Sequence, residues 1–457
     1  MEYISTRGSR VGSFQEVLME GLAQDGGLFI PNEWPQINTN DFKDDLTYED
    51  LTAKIIKPFI GSEIKDDDLL NIIKNAYEDF SSPDPVTLKK ISNGETIVEL
   101  FNGPTLAFKD FAMQLLIPIF DYFLKIESRQ MNLIVATSGD TGSAAIHAVN
   151  KSKNLNIFCL YPKDRVSEFQ RRQMSTVKSN RINLCEINGT FDDCQNIVKE
   201  ILADRQFSAK YNISAVNSIN WARVMIQVVY YFFSALRLDN FEGRYNFSVP
   251  TGNFGDIYAG YIAKKMGLNI NRLIVATNEN DILDRFFKTG EYATREVVKT
   301  SSPSMDIQVA SNFERFLFDA LNRSSSEISE KMINFKKKGI INIAPEHLKI
   351  CQSHFSSAKV DMESVSNVIR ETYENDGYLV DPHTAIGIHA SRQNKSIDKN
   401  LILGTAHPVK FLDTVESSIQ KKTNLLIGYE GLFEAEEKFD SLNNSAEEVR
   451  LKIESKN

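Results

Sequence analysis

The chain has 457 residues, 42% hydrophobic and 25% charged, a composition typical of a globular protein with room for two or three domains. The formal net charge of −9 argues against a nucleic-acid partner, and the sequence shows neither a membrane span of roughly 20 apolar residues nor a secretory signal. The four cysteines lack zinc-site spacing and favour a reducing compartment, so we expect a cytoplasmic protein that binds no metal.

Helix signals dominate the first hundred residues, which we interpret as a small N-terminal helical region. Residues 13–27 predict a helix that Gly26 and Gly27 stop, because glycine commonly ends helices. Residues 46–61 predict a second helix, which Thr47 caps and in which apolar residues recur at helical spacing. Residues 66–80 repeat this apolar stripe. The dipeptide Asn93-Gly94, flanked by apolar runs, then predicts a β-hairpin.

The next helix signal, "GPTLAFKDFAMQ", has an unusual start. Lys109 opens an apolar helical run, where the positive end of the helix dipole disfavours a cation. A lysine held in apolar surroundings loses its proton more readily, and a neutral amine attacks carbonyl groups. These residues alone leave a surface lysine, with its stem along an apolar face, as the favoured alternative.

From residue 132 onward, apolar strands alternate with helices. The strand signals include "NLIVA", "NLNIFCLYP", "RINLCEIN", "YNFSVP" and "RLIVAT", and a helix pattern follows each of them. This alternation predicts an α/β fold with mostly parallel sheets and helices on both faces. Ligands bind beyond the carboxyl ends of such strands, so the loops at these ends are where functional residues are expected.

Two of these loops combine glycine residues with a helix start, an arrangement that suits an anion. The loop in "VATSGDTGSAA" offers the hydroxyl groups of Thr137, Ser138 and Thr141 to a carboxylate, although a strand-to-helix turn without a ligand is an equal alternative. The loop in "VPTGNFGD", with Gly252 and Gly255, suits a single phosphate. It matches neither the dinucleotide nor the P-loop motif, and its glycine spacing alone is unspecific.

Two further segments place polar residues beside apolar elements. In "VNSINWARVM", Asn217, Ser218 and Asn220 precede an apolar helix, for which Asn220 is a good N-cap. Arg223 stands in the first turn of that helix, against the dipole, and a core helix with one partly exposed arginine is the favoured alternative. In "LILGTAHPVKF", His407 follows a strand, where we favour a role in holding the loop over a catalytic role.

Together, these segments resemble the threonine synthase family of pyridoxal-phosphate enzymes, in the longer form found in fungi and many bacteria. The resemblance covers nearly the whole chain and rests on "STRG", "DGGLFIP", "GPTLAFKDFAMQ", "ATSGDTGSAA", "VNSINWAR", "PTGNFGD", "DPHTAIG" and "TAHPVKF". It implies two α/β domains, each with an open, twisted, mostly parallel sheet, and the cofactor between them. We expect an N-terminal region at residues 1–95, a catalytic core at 96–380, and a part completing that core at 381–457, which ends in a surface helix.

The resemblance also implies roles for individual residues. Lys109 matches the lysine that binds pyridoxal 5'-phosphate through a Schiff base and then acts as the base, so it is the expected catalytic residue. Asp140 falls beside the cofactor ring, where shorter relatives carry Asn, and Thr405 falls near the pyridine nitrogen. The loop for the cofactor phosphate matches Gly252, Asn253, Phe254 and Gly255. The expected substrate-binding residues are Thr105, Ser138, Thr141, Asn217, Ser218, Asn220 and Arg223, with Arg223 binding the substrate phosphate.

The implied reaction converts O-phospho-L-homoserine and water to L-threonine and phosphate, the last step of threonine biosynthesis. One alternative is a related enzyme, such as a serine/threonine dehydratase or a cysteine synthase, which binds no substrate phosphate. Another is a non-catalytic relative that only binds ligands. The sequence leaves open whether the protein is a monomer or a homodimer.

Overall fold

A computed structural model of the chain describes residues 1–43, 45–217, 219–394 and 396–456. Within these residues the strands are β1 (Tyr3–Ser5), β2 (Arg10–Val11), β3 (Phe29–Pro31), β4 (Thr87–Lys90), β5 (Thr96–Glu99), β6 (Met131–Ala136), β7 (Leu155–Pro162), β8 (Ile182–Asn188), β9 (Ile213–Ala215), β10 (Tyr245–Pro250), β11 (Ile270–Thr277), β12 (Glu291–Ala293), β13 (Ile340–Asn342), β14 (Phe355–Lys359), β15 (Lys399–Gly404) and β16 (Asp440–Asn443).

The same residues form α-helices and several short 3-10 turns, among them Ser92–Gly94, Pro303–Met305 and Pro408–Phe411. The α-helices are α1 (Phe14–Glu20), α2 (Tyr48–Ile60), α3 (Asp66–Tyr77), α4 (Lys109–Ile126), α5 (Asp140–Lys151), α6 (Glu168–Ser175), α7 (Phe191–Ala203), α8 (Arg205–Lys210), α9 (Trp221–Asp239), α10 (Gly255–Lys265), α11 (Ile282–Thr289), α12 (Phe313–Ala320), α13 (Ser325–Lys338), α14 (Pro345–His354), α15 (Met362–Asp376), α16 (Pro382–Gln393), α17 (Leu412–Ile419), α18 (Glu430–Glu434) and α19 (Ala446–Glu454).

Two large sheets organise the described chain. A six-stranded sheet has the order β14-β11-β10-β15-β5-β4, and only its β4–β5 pair is antiparallel. A five-stranded sheet, with the order β16-β8-β7-β6-β9, is parallel throughout. The predicted α/β class with mostly parallel sheets is therefore confirmed. The predicted boundary at residue 95 falls in the loop between β4 and β5, which form the expected hairpin, and the domain limits remain predictions.

The N-terminal region differs from the prediction in two respects. It is not purely helical, because β2, β1 and β3 form a small antiparallel sheet, whose strands of two or three residues are too short to show an alternating pattern. The first helix also ends earlier than expected, at Glu20 rather than at Gly26 and Gly27. Gly21 adopts a positive φ of 65° and its N–H donates to the Val17 carbonyl, which stops the helix.

The C-terminal segment was predicted to end in a solvated surface helix, and this view is only partly correct. The apolar face of α19 is buried, because Val449 and Ile453 pack in a cluster with residues of α7, β6 and β8. Immediately before this helix, β16 adds an edge strand to the five-stranded sheet. The chain end is thus part of one of the two main sheets.

Helix α9 supplies much of the core. Every residue from Trp221 to Leu236 is buried, and the helix packs against α2, α4 and α10. A helix that is buried on all sides must carry any polar side chain into the interior. This position explains how an arginine in its first turn can reach a cleft inside the molecule. Among the described helices, none is long and apolar enough to cross a membrane.

Candidate active site

A cleft of about 870 Å³, open solvent included, is lined by the loops that follow β6, β10 and β15 and by the starts of α4 and α10. The strand β6 belongs to the five-stranded sheet, whereas β10 and β15 are neighbours in the other sheet. Eleven of the predicted site residues line this cleft, namely Lys109, Ser138, Asp140, Thr141, Asn217, Arg223, Gly252, Asn253, Phe254, Gly255 and Thr405. The strand ends therefore converge as the sequence pattern predicts for a parallel sheet.

The segment before α4 places Lys109 in the cleft. Its backbone is tied to the loop after β15, because Phe108 N–H donates to the Thr405 carbonyl (2.9 Å) and His407 N–H donates to the Leu106 carbonyl (3.0 Å). The His407 ring accepts a hydrogen bond from Val409 N–H, so this histidine holds the loop, as predicted. Burial lowers the pKa of His407 to about 4, which leaves its ring neutral at physiological pH.

Lys109 is itself almost fully buried, at 7% exposure. Its Nζ lies 3.1 Å from Asp140 Oδ2 and donates to Ser304 Oγ at 3.3 Å. Burial lowers the pKa of Lys109, and the nearby cations Arg223 and Lys410 lower it further, while Asp140 opposes both effects. The amine is thus held where it can lose its proton and act as a nucleophile or a base.

Asp140, at the start of α5, faces two lysines. Its Oδ1 accepts from Gln170 Nε2 (2.8 Å) and lies 3.0 Å from Lys410 Nζ, while its Oδ2 faces Lys109. Burial alone would raise the pKa of this carboxyl, but the charges of Lys109 and Lys410, together with Gln170, hold it well below its usual range. The side chain is therefore a buried carboxylate whose two oxygens are both occupied.

The loop between β10 and α10 presents its backbone to the cleft. Gly252 has no room for a side chain, since a Cβ there would lie 2.5 Å from the Ser304 carbonyl oxygen. Phe254 adopts a positive φ of 63° and directs its ring into a cluster with Phe287 and Phe313, away from the loop. The first N–H groups of α10 have no partners within the helix, which makes this helix start suitable for a phosphate.

Arg223 is a buried cation with weak partners. Its guanidinium donates to the Val216 carbonyl and to Thr141 Oγ1, both at 3.4 Å, and its Nε has no partner in the described part of the chain. No described carboxylate forms an ion pair with it, although Asp256 lies near enough to raise its pKa. Burial nonetheless lowers the pKa of Arg223 to about 10. A buried charge without a counterion is costly, so the site is prepared for an anion.

The other predicted substrate residues fall into three groups. Ser138, Thr141 and Asn217 line the cleft, and Asn217 Oδ1 is buried without a partner in the described residues. Thr105 and Asn220 do not line the cleft. Thr105 Oγ1 donates to Asp110 Oδ1 (2.7 Å), and Asn220 caps α9 by accepting from Ala222 N–H while its amide donates to the Leu18 carbonyl.

The third group is Ser218, which lies outside the described residues. Neither Thr105 nor Asn220 lines the cleft, and their contact with the substrate stays a prediction. The side-chain hydrogen bonds of both residues are already made within the protein. For Asn220, this use is the N-cap that the sequence indicates.

Ser304 and Lys410 were not predicted at the site, and the sequence leaves the role of His383 open. Ser304 enters from the loop before α12, and Lys410 stands behind Asp140, fully buried. His383 lines the cleft with Nδ1 held 2.7 Å from Asp381 Oδ2, while its buried Nε2 has no partner among the described groups. The Asp381–His383 pair could have been predicted from the sequence, because Asp381 stands at the N-cap position of α16. The loop of Ser304 contains no recognisable motif.

Comparisons with known proteins identify relatives over the whole chain. The sequence profile "Threonine synthase N terminus" matches residues 2–77, "Pyridoxal-phosphate dependent enzyme" matches residues 98–334, and "Threonine synthase, C-terminal" matches residues 384–453. Threonine synthase from Pseudomonas aeruginosa is 43% identical over 98% of this chain and 97% of its own length.

Solved structures give the same result. The crystal structure of threonine synthase with bound pyridoxal phosphate from Brucella melitensis is 42% identical and superposes with a TM-score of 0.95, covering 100% of this chain and 99% of its own. Threonine synthase from yeast is 38% identical with a TM-score of 0.92, over 100% of this chain and 98% of its own. Both similarities extend through all three parts of the sequence.

Proposed function

The chain belongs to the threonine synthase family of pyridoxal-phosphate-dependent enzymes, and from this premise we propose that it converts O-phospho-L-homoserine and water to L-threonine and inorganic phosphate. One observation carries the proposal beyond family membership. Arg223, a buried arginine with no ion-pair partner among the described residues, lines the same cleft as Lys109, a buried lysine of lowered pKa. The first suits a substrate phosphate and the second suits a carbonyl cofactor.

The residues of the cleft fit pyridoxal 5'-phosphate. We assign its covalent attachment to Lys109 and its phosphate to the backbone of Gly252, Asn253, Phe254 and Gly255, where the absence of a Cβ at Gly252 keeps the loop closely packed. Thr405 and Asp140 both line the cleft. Thr405 would offer its hydroxyl to the ring nitrogen, and Asp140 would stand beside the ring. When bound, the cofactor withdraws electrons from the bonds to the α-carbon of the substrate.

Lys109 carries protons in this proposal. As a free, neutral amine it would remove the α-proton and then a β-proton of the substrate, and it would return protons later, one of them to the γ-carbon after phosphate departs. Burial and the neighbouring cations favour the neutral amine, as their lowering of its pKa indicates. Asp140 and Ser304 hold the free amine at its place in the cleft.

Arg223 binds the phosphate group of the substrate before and during its departure. Asn217, Thr141 and Ser138 provide further polar groups beside it. Asn220 acts indirectly, since its cap fixes the first turn of α9 from which Arg223 projects. Thr105 likewise acts through the backbone, because its carbonyl accepts from Lys410 and its hydroxyl fixes Asp110.

Purified protein tests the proposal when it is supplied with O-phospho-L-homoserine or with L-serine. Threonine synthase activity gives equal amounts of phosphate and threonine from the first substrate and at most slow dehydration of the second. Rapid dehydration of serine with no phosphate release would favour the dehydratase alternative. If cofactor-loaded protein consumes neither substrate, the non-catalytic alternative is favoured. The intact Lys109 site argues against that alternative.

A further inference from the structure

A second lysine, Lys410, lies behind the carboxylate that faces Lys109. Its side chain is completely buried in the 3-10 turn Pro408–Phe411, which follows β15. Its Nζ contacts three acceptors, namely the Thr105 carbonyl (2.6 Å), Gln173 Oε1 (2.9 Å) and Asp140 Oδ1 (3.0 Å). An ammonium group has three N–H donors, whereas a neutral amine has two donors and one lone pair. The three acceptors around Nζ therefore match the three donors of an ammonium group.

The two lysines share one carboxylate. Lys109 faces Asp140 Oδ2 and Lys410 faces Asp140 Oδ1. The positive charge of Lys410 therefore offsets part of the stabilisation that Asp140 gives to the ammonium form of Lys109. If Asp140 were paired with Lys109 alone, the pair would hold the Lys109 proton firmly, because an opposite charge at hydrogen-bond distance favours the ammonium form. A base that must cycle between charged and neutral forms needs that hold to be weak.

We propose that Lys410 is a positioning residue that neutralises Asp140 and thereby leaves Lys109 free to give up its proton. This inference rests on the proposed attachment of the cofactor to Lys109. Lys410 touches neither the substrate nor the cofactor site, since it does not line the cleft. It acts through Asp140, which it keeps ionised and fixed in orientation together with Gln170.

The remaining charges near Lys109 do not replace this function. Arg223 projects from α9 and also lowers the pKa of Lys109. Asp256 on α10 is an acid, so it cannot neutralise Asp140; its Oδ1 accepts from the hydroxyl groups of Tyr230 and Tyr231, and its buried Oδ2 has no hydrogen-bond partner among the described residues. His383 on α16 contributes to lowering the pKa of Asp140, and its Nδ1 is held by Asp381 Oδ2. Of these groups, Lys410 is the cation with an ion pair to Asp140. Without Lys410, Asp140 should therefore stabilise the ammonium form of Lys109 more strongly.

The test measures how readily Lys109 reacts in full-length protein from which the cofactor has been removed. The rate at which added pyridoxal 5'-phosphate attaches, followed by visible absorption, depends on the neutral fraction of the amine and thus on pH. In Lys410→Met we expect the midpoint of this pH dependence to rise by roughly one to two pH units, from the loss of one unit charge at an effective dielectric constant near 20. Below the midpoint, attachment should slow roughly tenfold to hundredfold.

Gln173→Met is the matched control, because it removes one Lys410 partner from the same pocket without changing any charge. Its midpoint should stay within a few tenths of a pH unit of the wild type. An unchanged midpoint in Lys410→Met, however much activity falls, would overturn the proposal and make Lys410 a packing residue. An equal shift in both variants would also overturn it.

Asp140→Asn gives an independent result if Lys410→Met fails to fold. With the carboxylate gone and Lys410 present, Lys109 would face an uncompensated cation, and the midpoint should fall below that of the wild type. A midpoint that rises or stays the same would contradict the proposal. The measurement uses the cofactor alone, so its outcome is independent of whether O-phospho-L-homoserine is the substrate.

Discussion

Single residues at this site acquire their chemistry from burial more than from sequence neighbours. Lys109 and Arg223 both stand in the first turn of an apolar helix, where a cation is unfavourable. Each has its pKa lowered chiefly by burial, but Lys109 faces a carboxylate and Arg223 has no ion-pair partner among the described residues. Lys109 is therefore suited to proton transfer, whereas Arg223 is suited to binding an anion.

Replacing Lys109 with alanine tests the first of these roles. Threonine formation should be lost, because the variant has neither the amine that holds the cofactor nor the base that moves protons. In the wild type, borohydride should fix the cofactor on one lysine, and peptide mapping should identify it as Lys109. Full activity in the variant, or a label on another lysine, would show that the assignment is wrong.

Arg223→Ala tests the second role. Two charged hydrogen bonds to phosphate, at roughly 1.5–3 kcal/mol each, predict a loss of about two to four orders of magnitude in kcat/KM with O-phospho-L-homoserine. The slow dehydration of serine, which carries no phosphate, should survive, and the visible spectrum of the bound cofactor should not change. If both substrates lose activity equally, Arg223 supports the fold or the cofactor and another group binds the phosphate.

At the scale of elements, the site depends on close packing between two loops, which Gly252 permits because it has no side chain. The turn between β10 and α10 meets the Pro303–Met305 turn at Gly252, where a Cβ would lie 2.5 Å from a carbonyl oxygen. Separating these loops would move the start of α10, which we propose to hold the cofactor phosphate.

Gly252→Val should therefore weaken cofactor binding more than it weakens folding. We expect the Kd for pyridoxal 5'-phosphate to rise at least tenfold, while the thermal midpoint of the cofactor-free protein falls by only a few degrees. Gly431→Val is a suitable control, because a Cβ at that position meets no atom within 4 Å. Normal cofactor affinity in Gly252→Val would count against the proposed phosphate site.

Local sequence patterns predicted most of the long elements and the loops that form the cleft. Apolar periodicity and caps located α2, α3 and α9, and the alternation of strands and helices identified the sheets. Other features depend on contacts between residues that are distant in the chain. No local signal marks the short strands β1 and β2, the approach of Ser304 to Lys109, or the ion pair of Lys410 with Asp140.

At the scale of the whole molecule, the chain crosses between its two sheets. The strands β5 and β10 belong to the six-stranded sheet, and the segment between them contributes β6 to β9 of the other sheet. The C-terminal segment returns to both, with β15 in the first sheet and β16 in the second. Residues 381–457 thus contribute to both sheets, which the sequence alone did not indicate.

The attachment of α19 to the five-stranded sheet can be tested by its stability. Val449→Asp places a carboxylate in a fully buried apolar position and should cost roughly 3 kcal/mol or more, seen as a clear fall in the thermal unfolding midpoint. Leu451→Asp, on the same helix at 57% exposure, is the control and should change the midpoint little. Equal midpoints for the two variants would mean that α19 does not stabilise the sheet.

The proposed reaction breaks a carbon–oxygen bond of O-phospho-L-homoserine and adds water at the neighbouring carbon. Turnover in water enriched in oxygen-18, followed by mass spectrometry of both products, reports on both bonds. We expect one labelled oxygen in the β-hydroxyl group of threonine and no label in the released phosphate. Homoserine accompanied by labelled phosphate would show cleavage of the phosphorus–oxygen bond, as a phosphatase performs it, and would exclude the proposed reaction.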